Sequence, residues 1–196
     1  ESLKAGHVVT INNVDTIADG TAVKTPGDII FPYIQKYVDD IITVDDCELI
    51  VNFLDMIENH KMVVENSGLL TVAALKHLKC KNKKIAAILS GGNMDIITVS
   101  SVVQHGLIQR GRVFTVSVLL PDRPGELLNV AAIIAKEQGN VIRLDHNQFV
   151  SINRNSAVEL TITMETFGHE HKDQIVEALT KAGYDPKVCH PNKIYD

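Results

Sequence analysis

Ile85-Ala86-Ala87-Ile88-Leu89 is apolar at five consecutive positions and gives way abruptly to Ser90-Gly91-Gly92-Asn93. A strand with one solvated face alternates in polarity. An unbroken run suits a strand covered on both faces, as in the parallel sheet of an α/β fold. A helical pattern follows from about Met94 to Leu107. Ser90 therefore stands where a buried strand ends, the edge at which open α/β sheets hold ligands. The same residues also read as an ordinary strand-to-helix turn. Gly91 and Gly92 then supply conformational freedom, and Asn93 caps the helix.

The segments upstream repeat this order. Residues 8–11, 40–44 and 61–64 read as short strands. Helices are expected from about Asp28 to Val38, from Asp45 to about Asn59, and from Ser67 along the stripe Leu70, Ala73, Ala74 and Leu78. Pro32 falls in a first turn, where a missing N–H costs little. Asp45 and Glu48 have the spacing of a capping box, and Ser67 is the expected cap of its helix. Such alternation implies right-handed βαβ crossovers and a parallel sheet. The loops after the strands carry Asp19-Gly20, Glu65 and Ser90, which the crossovers place along one edge. Each alone is an ordinary turn or solvated residue. Together they make a candidate ligand site.

The pattern changes after the polar hinge Gln109-Arg110-Gly111-Arg112. Phe114, Val116, Val118 and Leu120 alternate with smaller or polar residues, as do Val158, Leu160, Ile162 and Met164. Between them lie a helical stripe that ends at Gly139 and a strand beginning Asn140-Val141-Ile142. A second helix ends at Gly183, and Pro186–His190 reads as a last strand. This is a βαββαβ arrangement, the split βαβ of ferredoxin-like domains, with one solvated sheet face. The expected divisions are a first domain at 1–107, a linker at 108–112, a second domain at 113–190 and a tail at 191–196. Asp122-Arg123-Pro124-Gly125 reads either as a tight turn with Pro124 opening the helix, or as a small-molecule site. In the second case Gly125 allows close backbone approach and free helix N–H groups attract an anion.

Composition narrows the function classes. The chain has 196 residues, 45% hydrophobic, with a formal net charge of -5 and scattered basic residues, which argues against nucleic acid as a partner. No apolar run is long enough to span a bilayer. Cys47, Cys80 and Cys189 are odd in number and far apart, so a reducing cytoplasm is the expected setting. Cys189-His190 and His169-Glu170-His171 lack partner pairs at ligand spacing, and no metal site is expected. His169 and His171 are expected at the solvated start of a helix.

Three blocks carry a family resemblance. Asp15-Thr16-Ile17-Ala18-Asp19-Gly20, Val63-Val64-Glu65-Asn66-Ser67-Gly68 and Leu89-Ser90-Gly91-Gly92-Asn93-Met94-Asp95 resemble successive blocks of the threonine/serine dehydratases, pyridoxal-phosphate enzymes of fold type II. Residues 113–190, with Leu120-Pro121-Asp122-Arg123-Pro124-Gly125-Glu126-Leu127, resemble the ACT regulatory domain that follows the catalytic domain in threonine ammonia-lyases. Asn66 departs from the proline usual there. The family's Schiff-base lysine block, glycine-rich phosphate loop and substrate-carboxylate segment have no counterpart in this sequence. The chain is thus similar to the carboxyl-terminal half of a threonine dehydratase. Part of its parallel sheet, and with it several strand neighbours, would be missing.

The resemblance implies that Ser90 faces the cofactor's pyridine nitrogen, with Gly20 and Glu65 beside the ring. The cofactor of the full-length protein would be pyridoxal 5'-phosphate, which this chain is expected to lack, along with catalytic residues and activity. The complete enzyme would convert threonine to 2-oxobutanoate and ammonia. An amino-acid effector (isoleucine or valine in biosynthetic members) or a nucleotide would bind between two ACT domains of a homodimer. It would touch Asp122, Arg123, Pro124 and Gly125 of one and Asn140, Val141 and Ile142 of the other. A stand-alone small-molecule sensor is the rival reading from another class. A serine dehydratase or racemase relative is the rival within the family.

Overall fold

The computed structural model describes residues 1–148 and 158–189. The chain divides into two compact units, Glu1–Val103 and Gln104–Asp196. The expected tail 191–196 and His190, the end of the last expected strand and half of the Cys189-His190 pair, lie outside the described residues.

In the first unit the helices are α1 (Ser2–Ala5), α2 (Phe31–Tyr37), α3 (Asp46–Asp55) and α4 (Asn66–Ala73), and α5 (Ile96–Gln109) begins there. Pro32 lies in the first turn of α2, as its geometry allows. The capping box at α3 forms as expected, the Asp45 side chain meeting the Glu48 backbone and the Glu48 side chain the Asp45 backbone. A π-helical turn, Met56–His60, extends it, ending at Lys61 in the left-handed region. Two expected caps differ. Glu65, not Ser67, precedes α4. Asp95, not Asn93, caps α5, its carboxylate accepting from the Thr98 N–H at 3.0 Å.

The expected parallel sheet does not form. Residues 8–11, 40–44, 61–64 and 85–89 are irregular and form no strand ladder. Strand pairing is a property of neighbours, and an apolar run cannot supply its own. What remains is a helical core. Leu49 and Phe53 of α3 pack on Leu69 and Ala73 of α4, with Ala18, Met56, Val64 and Val102 around them.

The Glu48 carboxylate also meets His77 Nε2 at 2.9 Å. The bond to His77, and then the one from the Asp45 backbone, hold the Glu48 carboxyl below its ordinary value of 4.5. A lowered carboxyl stabilises the fold above its unfolded pKa, and that stabilisation is lost as pH falls through the folded one. Glu48→Gln is therefore expected to reduce helicity near neutral pH. In a circular-dichroism titration the difference from the parent should begin to shrink as pH falls below about 4.5 and vanish only once the lowered folded-state value has been passed.

In the second unit β1 (Val113–Leu120), α6 (Glu126–Lys136), β2 (Asn140–Asn147), β3 (Val158–Glu165), α7 (His169–Lys181) and β4 (Pro186–Cys189) follow in βαββαβ order. The strands form one antiparallel sheet in the order β2-β3-β1-β4. Phe114, Val116, Val118 and Leu120 of β1 and Leu160, Ile162 and Met164 of β3 are buried against Val130 and Ile134 of α6 and Ile175 and Leu179 of α7. Each such side chain contributes about 1.5–3 kcal/mol of burial. Polar pairs occupy the other face, Thr115 with Thr163 at 2.8 Å and Ser117 with Glu159 at 2.5 Å.

Helix ends correct two further expectations. Gly183, at φ 91°, closes α7 as expected. At α6 the left-handed residue is Gln138, at φ 63°, not Gly139. Gly139 is required for another reason: a β-carbon there would lie 2.8 Å from Ile134 and 3.0 Å from Ile175. Gly125, not Pro124, stands at the amino end of α6. His169 and His171 do more than decorate α7. The His171 ring accepts from the Phe167 N–H and donates to the Glu137 carbonyl, while His169 donates to the Gln109 carbonyl. Among the described residues no cluster of three or more His, Cys, Asp or Glu side chains suits a metal ion.

Candidate functional site

The site in the first unit is assembled at the start of α4. Asp46, the first residue of α3, accepts hydrogen bonds from Thr16 Oγ1 at 2.6 Å and the Ile17 N–H at 3.1 Å. Asn66, the first residue of α4, donates from Nδ2 to the Ile17 carbonyl at 3.0 Å. Two helix starts therefore hold one loop, and that loop delivers Gly20 over Ser67. A β-carbon at Gly20 would lie 2.9 Å from Ser67 Oγ. Hydrogen bonds to a charged acceptor contribute about 1.5–3 kcal/mol. Asp46→Ala is expected to cost that much and to speed amide exchange across residues 16–21.

The segment after Leu89 closes from the other side. The Glu65 N–H donates to the Gly91 carbonyl at 3.4 Å, and Thr71 Oγ1 donates to the Ile88 carbonyl at 2.9 Å. The Ser90 carbonyl rests on Gly68, and the Glu65 carboxylate rests on the α-carbon of Gly91, at φ 76°. A side chain at either glycine would overlap these groups.

Gly20, Glu65 and Ser90 thus meet around one helix start, although the sheet expected to align them is absent. A cleft of about 820 Å³ opens there, lined by Asp19, Gly20, Glu65, Asn66, Asn93 and Asp95 among others. Ser90 is exposed and is not among the lining residues. Among the described residues no lysine, arginine or histidine lines the cleft, and three carboxylates do. Asn66 Oδ1 and Ser67 Oγ are buried without a hydrogen-bond partner.

Asp46 and Asn66 went unassigned in the sequence. Asp46 was hidden inside a capping motif whose other members explain the helix start. Asn66 stands out in the sequence only as a departure from the proline usual there. The available signal was a second carboxylate at a helix start that needed only one.

In the second unit, Asp122, Arg123, Pro124 and Gly125 line a smaller cleft of about 320 Å³ with His146 and Gln148. Gly125 has φ 97°. Asn140, Val141 and Ile142 stand at the other end of β2, seven residues or roughly 23 Å from Asn147. Within one copy they do not meet the turn. Asn140 Nδ2 donates to Glu165 at 2.7 Å. The register slips between Val141 and Arg143, so Ile142 is the extra residue of a bulge.

Residues 1–91 match the family described as pyridoxal-phosphate dependent enzyme. The chain is 33% identical over 188 residues to an L-threonine ammonia-lyase of Thermotoga maritima, covering 95% of this chain and 47% of the relative. It is 35% identical over 185 residues to an L-threonine ammonia-lyase of Geobacter sulfurreducens, covering 93% and 46%. A solved threonine deaminase of Solanum lycopersicum superposes with a TM-score of 0.49 at 33% identity, over 53% of this chain and 32% of that one. The chain spans about half the length of the curated relatives it matches. Residues 1–91 thus resemble the pyridoxal-phosphate dependent enzymes, and the chain is similar to the threonine ammonia-lyases along nearly all of its length.

Proposed function

We propose that this chain is the carboxyl-terminal portion of a pyridoxal-phosphate-dependent threonine ammonia-lyase, which when complete converts threonine to 2-oxobutanoate and ammonia. The relationship along 93–95% of the chain supports this. The observation that carries it is the meeting of Gly20, Glu65 and Ser90-Gly91 at the start of α4. Of those residues Gly20 and Glu65 line the cleft, and a flat ring could lie against the Gly20 backbone there. They do not fit the rest of the cofactor. A phosphate dianion needs cationic or N–H donors and the aldehyde needs an amine, whereas the cleft presents Asp19, Glu65 and Asp95. Threonine and added pyridoxal phosphate are therefore expected to give no 2-oxobutanoate with this chain alone. Turnover would overturn the assignment of the reactive amine to residues outside it.

Residues 113–190 are, in the same proposal, an ACT-type regulatory domain of ferredoxin-like fold that pairs with a second copy. β2 is an edge strand, exposed along its whole length, and exposed edges invite pairing. Two β2 edges related by a two-fold axis run antiparallel. The start of one, at Asn140-Val141-Ile142, then reaches the end of the other, beside its Asp122–Gly125 turn. An amino acid or nucleotide held between them would meet the N–H groups opening α6. Light scattering is expected to give the mass of a dimer, and calorimetry with a panel of amino acids and nucleotides to give heat with at least one. A monomer, or silence across the panel, would overturn the regulatory reading.

A further inference from the structure

The first unit gathers much of its charge into two segments of opposite sign. Lys76, Lys79, Lys81, Lys83 and Lys84 fall within nine residues that hold no acid, so the basic residues are less scattered than the chain as a whole implies. Asp39, Asp40, Asp45, Asp46 and Glu48 fall within ten residues that hold no base. Residues 75–84 are exposed throughout, as are Asp39, Asp40 and Asp45. Among the described residues Lys79, Lys81, Lys83 and Lys84 enter no ion pair.

The two segments meet in space. His77 Nε2 lies 2.9 Å from the Glu48 carboxylate. That bond first, with the charge of Lys76 as a lesser contribution, holds the Glu48 carboxyl below its ordinary value. The contact joins the start of the lysine segment to the end of the acidic one.

We propose that these adjoining segments form a self-complementary surface through which two copies of the chain associate about a two-fold axis, the lysine segment of each lying on the acidic segment of the other. The surface lies wholly in the first unit. It is separate from the pairing of β2 and does not depend on the function proposed above.

The adjacency of the two signs decides the occupant. A polyanion is drawn to the lysines but repelled by the carboxylates beside them. A uniformly acidic face of another protein meets the same repulsion. The partner that fits carries both signs in reverse order. A two-fold axis presents that order from the chain itself, because an isologous contact sets each patch against its counterpart's complement. Charge fixes register and encounter rate more than affinity. Apolar side chains next to the charges in sequence supply area for the dry part of the contact: Leu75 and Leu78 are each 38% exposed, and Val38 is 42% exposed.

The test measures the mass of the whole chain by sedimentation at about 0.01 M and about 1 M salt, where charges are screened beyond ~30 Å and ~3 Å respectively. The mass at low salt is expected to be at least twice that at high salt. A chain of net charge -5 otherwise repels itself more as salt is removed, so growth in mass marks complementary charge. Lys81→Glu with Lys83→Glu should weaken the low-salt association on the order of a hundred-fold, and Asp39→Lys with Asp40→Lys should do the same. Mixing the two reversed variants should restore it, since the introduced lysines then meet the introduced glutamates. Lys4→Glu with Lys24→Glu makes the same change in net charge outside the segment and should leave it intact.

Equal mass at both salt concentrations would overturn the proposal. If the parent then bound inorganic polyphosphate, the lysines would serve a polyanion instead. A salt-dependent step that survives reversal of the lysines, or a mixture that fails to recover it, would overturn the two-fold pairing. Loss of the step in the Lys4, Lys24 variant would assign it to net charge and overturn the proposal as well. Lys81 and Lys83 enter no ion pair in their own copy, so their reversal decides the matter alone if the aspartate variant loses helicity.

Discussion

Gly68→Ala is expected to detach residues 85–95 from α4 and to be among the most damaging single substitutions in the first unit. Gly68 is buried, and its α-carbon faces the Ser90 carbonyl directly. A methyl group there would overlap the carbonyl oxygen and come within 2.9 Å of the Ser90 carbonyl carbon. The obstacle is backbone, which cannot rotate away as a side chain can. Overpacking costs about 1–3 kcal/mol, and a rigid obstacle puts this case at the upper end. Alanine's better helix propensity returns no more than about 1 kcal/mol.

The bonds at risk are those that seat the segment, from the Glu65 N–H to Gly91 and from Thr71 Oγ1 to Ile88. Amide exchange at Glu65 should accelerate, and the denaturation midpoint should fall. Gly27→Ala is the matched control, because a β-carbon there meets nothing within 4 Å. It should be neutral or slightly stabilising. Equal effects at the two glycines would show that the Ser90 contact does not hold the segment.

The two units were not equally legible. In the second, polarity alternates along β1 and β3, and the structure buries the apolar set of each. Those strands find their neighbours inside the chain, so the pattern and the fold agree. Misreadings there concern punctuation. The sequence marks Gly139 as the helix end, whereas in the structure it is its closeness to Ile134 and Ile175 that favours glycine there. Gln138 takes the left-handed position instead.

In the first unit the same kind of reasoning reached four strands that do not form. Periodicity reports the environment for which residues are suited, not whether that environment is present. Ile85–Leu89 is suited to a doubly covered strand, and half of its cover is absent. The convergence of Gly20, Glu65 and Ser90 was legible because loops after successive elements return to one end. The clamp by Asp46 and Asn66 was not. It joins residues about thirty and fifty positions apart, and neither belongs to a periodic pattern.

Ile162→Ala should cost the second unit about 2–5 kcal/mol, as large a loss as any single truncation there. Ile162 lies mid-way along β3, an interior strand, paired with Val116 on one side and Leu144 on the other. Its side chain is fully buried in the cluster that joins the sheet to α6 and α7. Truncation leaves a cavity walled by strands whose ladders fix their spacing, so the site cannot collapse to fill it. Leu128→Ala removes the same three carbons from α6, yet Leu128 is 72% exposed, and its loss should stay within about 0.5 kcal/mol. Chemical denaturation of the two variants separates two causes of stability, apolar content and apolar burial. A loss below about 1 kcal/mol at Ile162 would mean that the sheet yields around the cavity. A large loss at Leu128 would mean that the outer side of α6 is covered in solution, which would extend the self-association argued for β2 to the helix beside it.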